Sequence, residues 1–124
     1  MTGAPERMDD VALVNLTPHP VTVYADDGHV VLRCPPAELP VRLPVRRDDE
    51  GEVAGVPVVV EHRGRVELPA PAPGVSFIVS YAVAVAHPER GDLLVPTDLV
   101  RSEEGTVVGC RAFSRIAADG GTIS

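Results

Sequence analysis

Lysine and tryptophan are absent from this chain. All eleven basic residues are arginine, and the aromatic side chains are limited to Tyr24, Phe77, Tyr81 and Phe113. An arginine-only basic set suits bidentate recognition of phosphate or carboxylate, because guanidinium is a planar fork of donors, although coding bias in a GC-rich genome produces the same composition. Positive charge is also outweighed, with a formal net charge of −7. The resulting field repels polyanions, which disfavours general DNA or RNA binding. With 44% of residues apolar and few of them aromatic, the core has to be aliphatic, built from Val, Ala and Leu.

Other absences narrow the class further. Cys34 and Cys110 are the only cysteines; they are too few for a disulfide-stapled scaffold, form no CxxC pair, and read as buried thiols. No stretch approaches the roughly twenty apolar residues that span a bilayer. The first ten residues carry Glu6, Asp9 and Asp10 and lack the apolar centre of a secretion signal. The expectation is a cytoplasmic protein without membrane association. His19, His29, His62 and His87 show no zinc-type spacing with each other or with the cysteines, so no metal site is expected. GxSxG, GxxxxGK and GxGxxG patterns are missing too, so neither a cofactor nor an enzymatic activity is indicated.

What is present is a succession of short β-branched runs divided by turn residues. At 124 residues the chain suits one domain. Its polar, glycine-containing ends point to tails over 1–10 and 117–124 around a single β-rich domain over 11–116. A domain of this size buries only about two thirds of its unfolded surface, which makes a homo-oligomer a natural way to bury more. Ala12 to Leu16 and Val21 to Tyr24 read as strands on either side of Thr17-Pro18-His19-Pro20, whose prolines forbid helix. Asp26-Asp27-Gly28 predicts a hairpin into Val30 to Arg33. Val41, Leu43 and Val45 alternate with Arg42, Pro44 and Arg46 as in an edge strand.

Asp48-Asp49-Glu50-Gly51 reads as an acidic turn, and Val56 to Glu61 with Arg65 to Leu68 as a hairpin about His62-Arg63-Gly64. Consecutive Val58, Val59 and Val60 suggest a strand covered on both faces. Leu68 to Gly74 is proline-rich and predicts an extended crossing loop within one core. Ser76 to Ser80 reads as a buried strand. For Tyr81 to His87, Val/Ala alternation favours strand, whereas alanine content and the stop at Pro88 favour a short helix, the preferred reading. Leu93 to Val95, Leu99 to Arg101 and Thr106 to Phe113 complete the strands, the last two joined at Glu103-Glu104-Gly105. The expected fold is mainly β, a small barrel or sandwich of about eight short strands with at most one short helix.

One segment carries more than pattern. Asn15-Leu16-Thr17-Pro18-His19-Pro20-Val21 resembles a family of small actinobacterial and phage proteins that open with Asn-Leu-Thr-Pro-His. The resemblance continues through Gly55-Val56-Pro57-Val58-Val59, Ile78-Val79-Ser80, Arg90, Asp92-Leu93-Leu94-Val95-Pro96 and Val100-Arg101. It ends at Gly105-Thr106-Val107-Val108-Gly109-Cys110-Arg111, so that it spans most of 14–113. The family's Pro-Pro-Ser-Gly with a following Ala-Arg is replaced here by Pro35-Pro36-Ala37-Glu38 and Val41-Arg42. The resemblance implies a compact β-rich domain in a phage or prophage setting, and implies no particular chemistry.

Four residues stand out as candidate ligand-binding positions. His19 sits in a proline-stiffened turn beside Asn15 and Thr17, where an imidazole can meet a ligand or merely serve the turn. Arg42, Arg90 and Arg101, with Arg111, could converge on a phosphate or carboxylate, since forked donors fix orientation as well as charge. The competing reading places Arg90 and Arg101 in structural pairs with Asp92 and Asp98. The carboxylates of Asp26-Asp27, Asp48-Asp49-Glu50 and Glu103-Glu104 are explained by solvated turns. The leading expectation is a non-enzymatic binder of a small anionic, nucleotide-like ligand. Its rival is a structural or protein–protein interaction module without a small-molecule site.

Overall fold

The computed structural model describes residues 6–8 and 11–117. In chain order the elements are β1 (Glu6–Met8), β2 (Val11–Asn15), β3 (Val21–Tyr24), β4 (Val30–Cys34), β5 (Val45–Val53), β6 (Val56–Arg63), β7 (Val75–Ile78), α1 (Tyr81–Ala86), β8 (Leu93–Arg101) and β9 (Val107–Ser114). The fold is thus mainly β with one short helix. Seven strands form a mixed sheet in the order β1-β2-β7-β8-β9-β3-β4, and β5 and β6 form a separate two-stranded ribbon. Of the two expected tails, residues 6–8 are strand β1, paired antiparallel with β2, and the rest apart from Ala117 lies outside the described residues.

The sheet curls into a nearly closed barrel. Its edges meet where the segment after β4 bonds back to the segment after β2, with the Ala37 amide donating to the Thr17 carbonyl and the Val41 amide to the Leu16 carbonyl, both at 2.9 Å. The β3–β4 hairpin turns at Asp26 to Gly28, with Gly28 at φ 94°. Helix α1 starts at Ser80, whose Oγ accepts from the Val83 amide at 3.2 Å. It stops before Pro88, which cannot continue it.

Apolar residues gather in two clusters rather than the single interior expected. Phe77, Val79, Leu93 and Val95 pack with Val83 and Ala84 of α1, supported by Val66 and Leu68 of the proline-rich crossing segment. Val21, Cys34, Ile78 and Cys110 form the second, with Leu13, Val23, Leu32 and Phe113 around them. Neighbouring Phe77 and Ile78 serve different clusters because successive strand residues point to opposite faces. One cluster therefore lies beneath the helix and the crossing segment, and the other lies across β3, β4, β7 and β9.

That crossing segment, 64–74, has no regular structure and is held by side chains. Arg65 donates to the Ala86 carbonyl at 3.0 Å, the Val66 amide to His87 Nε2 at 3.1 Å, and Arg90 to the Pro69 carbonyl at 2.8 Å. His87 is accordingly buried, unlike a scattered surface histidine.

Several local expectations are corrected. Residues 41–44 are not strand, since Pro40 and Pro44 remove the donors a ladder needs. The acidic stretch is not a turn: β5 runs through Asp48 to Gly51 with a register shift, Gly51 at φ 90° donating to the Asp49 carboxylate at 3.1 Å. The chain reverses instead at Ala54-Gly55, with φ of 52° and 79°, the pair of positive values a tight hairpin turn uses. Consequently β6 pairs back with β5, not forward with Arg65 to Leu68. Its valines belong to a projecting ribbon and are not covered on both faces, Val59 being exposed and Val58 and Val60 only half-buried. The two strands expected over 93–101 are one continuous β8.

Candidate functional site

The buried side chain of Asn15, at the end of β2, organises the turn that follows. Its Nδ2 donates to the His19 carbonyl at 2.8 Å and to the Pro35 carbonyl at 3.0 Å. Its Oδ1 accepts from the Thr17 amide at 2.9 Å and the Thr17 hydroxyl at 2.7 Å. All four hydrogen-bonding positions of a primary amide are thereby used. The Thr17-Pro18-His19-Pro20 turn is fixed against β4, and the His19 side chain is left exposed at its apex.

This turn forms one wall of a groove of about 1080 Å³. The floor is apolar, from Val21, Val79, Val95, Leu99 and Cys110; the far wall includes Ser80, Tyr81 and Ala82 at the start of α1. Tyr24 lies against Gly109, where a Cβ would stand 2.5 Å from both the Tyr24 ring and the Thr22 carbonyl. Only glycine lets the ring settle there. Three guanidiniums border the groove: Arg33 in β4, Arg42 after it, and Arg63 at the end of β6. Among the described residues no Asp or Glu lines it. Arg33 and Arg42 make no ion pair or side-chain hydrogen bond among the described residues, while Arg63 is paired with Glu61 at 3.3 Å.

The chain matches no family model, no curated protein and no solved structure.

The four residues singled out from sequence are not brought together. His19 and Arg42 line the groove; Arg90 and Arg101 do not. Arg90 grips Asp92 with Nε and Nη2, both at 2.8 Å, and also binds the Pro69 carbonyl. This hydrogen-bonded pair holds the Asp92 carboxyl below its ordinary range. Arg101 donates to the Gly105 carbonyl at 2.9 Å, closing the β8–β9 hairpin, and Arg111 does not line the groove. Arg33 and Arg63 were not singled out. The Asp-Gly hairpin register did hold a signal for Arg33, since it sets that residue opposite Thr22, next to the proline-stiffened turn.

Two of the groove's hydroxyls and its thiol are poorly placed for nucleophilic chemistry. Ser80 Oγ caps the helix and the Thr17 hydroxyl is held by Asn15. Burial pushes the Cys110 thiol up, so it stays protonated near neutral pH and is a weak nucleophile. Among the described residues no group of three His, Cys, Asp or Glu could hold a metal ion, and no helix is long and apolar enough to cross a membrane.

Proposed function

We propose that this domain is a non-enzymatic binding module that takes a small anionic ligand with an apolar or aromatic body, such as a nucleotide, into the groove beside His19 and Arg42. The observation that carries the reading is the groove's charge. On a chain of net charge −7, it gathers three arginines and a histidine around an apolar floor and, among the described residues, includes no Asp or Glu. Two uncommitted guanidiniums offer forked donors to a phosphate or carboxylate, and the floor takes the apolar body. The Thr17 and Ser80 hydroxyls, committed to structure, and a protonated buried thiol support binding without turnover. A phage-associated role for such a binder belongs to the same proposal and rests on the sequence resemblance, and a cytoplasmic one rests on the polar N-terminal residues and the presence of only two cysteines.

The test is a fluorescence titration with anilinonaphthalene sulfonate, followed by displacement with adenosine monophosphate. Saturable dye binding that the nucleotide displaces is expected, and the Arg33→Ala/Arg42→Ala variant should weaken both by about tenfold or more, about 1.4 kcal/mol. Equal binding by that variant, or no saturable binding below millimolar concentration, refutes the reading. A protein–protein interaction module is the second reading, and the projecting β5–β6 ribbon favours it, because among the described residues no third strand pairs with either of its edges.

A further inference from the structure

Strand β5 carries four carboxylates, Asp48, Asp49, Glu50 and Glu52, on a ribbon that packs on no other element to a comparable extent. Asp48 is engaged by Arg46 and His62, and Asp49 by the Gly51 amide. Glu50 and Glu52 make no ion pair or side-chain hydrogen bond among the described residues. Beyond them the tip is apolar, with Val53 and Val56 67% and 62% exposed. An isolated two-stranded ribbon is marginally stable in water, so the arm gains from being covered.

Among the described residues its own chain does not supply the cover. Only Val45 and Arg63, at the base of the arm, line the groove. At about 3.3 Å per residue the strands carry the tip roughly 25 Å beyond that base. The complement is nevertheless part of every copy: an apolar floor bordered by the uncommitted Arg33 and Arg42. At about 1080 Å³ the groove slightly exceeds the ~300–1,000 Å³ usual for a small-ligand pocket, leaving room for a hairpin tip.

We infer that the tip of the β5–β6 arm of one copy seats in the groove of a second copy, Glu50 and Glu52 against Arg33 and Arg42, and Val53 and Val56 on the apolar floor. The base of each arm is the rim of each groove, so the exchange is reciprocal about a two-fold axis. Two equal contacts then share the ~1,200–2,000 Å² of a standard interface. The inference rests on the groove being the binding surface proposed above and adds its regulation, because ligand and arm compete for one place.

Sedimentation equilibrium of the full chain tests this. The wild type should form a dimer of 13.1 kDa chains at micromolar concentration. Glu50→Arg/Glu52→Arg and Arg33→Glu/Arg42→Glu should each raise the dimer dissociation constant at least tenfold, and the chain carrying all four changes should recover most of that loss. Circular dichroism confirms that each variant is folded. A wild type still monomeric at 0.5 mM overturns the inference, as do a dimer that either variant leaves intact, larger open-ended assemblies, and failure of the fourfold variant to recover. Dye binding separates the two readings. A wild-type dimer whose dissociated Glu50→Arg/Glu52→Arg variant, with its groove open, still binds no dye refutes the small-ligand proposal alone, and a dye-binding wild type that never dimerises refutes the arm exchange alone.

Discussion

The Asn15 side-chain amide donates to the Pro35 carbonyl at 3.0 Å and so fastens the end of β2 to the end of β4, where the sheet curls back on itself. The same nitrogen holds the His19 carbonyl. One buried side chain thus sets both the closure of the barrel and the position of a groove wall.

Replacing Asn15 should cost more than a surface change. Asn15→Ala removes the donor for two carbonyls and the acceptor for Thr17, and we expect a loss of about 2–4 kcal/mol in urea unfolding. Asn15→Asp keeps the acceptor but sets a carboxylate against the His19 and Pro35 carbonyl oxygens, so it should be no more stable than Asn15→Ala at pH 7. A variant within 0.5 kcal/mol of wild type would contradict this role.

The Arg90–Asp92 pair predicts an acid limb of stability. The bond from Arg90 holds the Asp92 carboxyl below its ordinary value of 3.8. A carboxyl lowered in the folded state contributes stability that is present above its unfolded value and lost as pH falls through its folded value. Asp92→Asn should therefore lower stability near neutral pH by about 1–3 kcal/mol and flatten the decline below pH 4. The check is chemical denaturation at pH 7 and pH 3, where the gap between wild type and variant should narrow.

Gly109 should tolerate no side chain. An added Cβ would stand 2.5 Å from the Thr22 carbonyl oxygen, which is backbone and cannot swing aside. We expect Gly109→Ala to destabilise by about 1–3 kcal/mol and to displace the Tyr24 ring from the groove, read as a change in tyrosine fluorescence. An unchanged melting temperature and an unchanged spectrum would show that the ring does not depend on that contact.

The β3–β4 hairpin was legible because Asp26-Asp27-Gly28 carries its own turn chemistry, and α1 because Pro88 marks its end. The β5–β6 arm was misread for a physical reason. Val58, Val59 and Val60 have the β-branched character of a central strand, but composition reports what a strand prefers and not whether anything covers it. Asp48-Asp49-Glu50-Gly51 looks like a turn, yet the glycine serves a bulge, and the reversal is made by Ala54-Gly55, where alanine takes a backbone conformation it disfavours. At the site, the stiffness of the Pro18-His19-Pro20 turn pointed to His19. The hairpin register placed Arg33 beside that turn, whereas Arg63 has no local signature, since β6 reaches the groove only when strands distant in sequence are assembled. Arg90 looked like a ligand residue because a bidentate structural pair and an anion site use the same chemistry.

Strands β3 and β9 meet through the parallel pair Val23 and Cys110, and β2 runs parallel to β7 across the whole projecting arm. Segments made early in synthesis thus wait for segments made late before they find their neighbours. Loop closure over such spans is entropically costly and delays the rewarding contacts. Folding should consequently be slow for the chain's size, with the locally closed β3–β4 and β5–β6 hairpins forming first and β9 acting as the keystone that joins β3 and β4 to the rest.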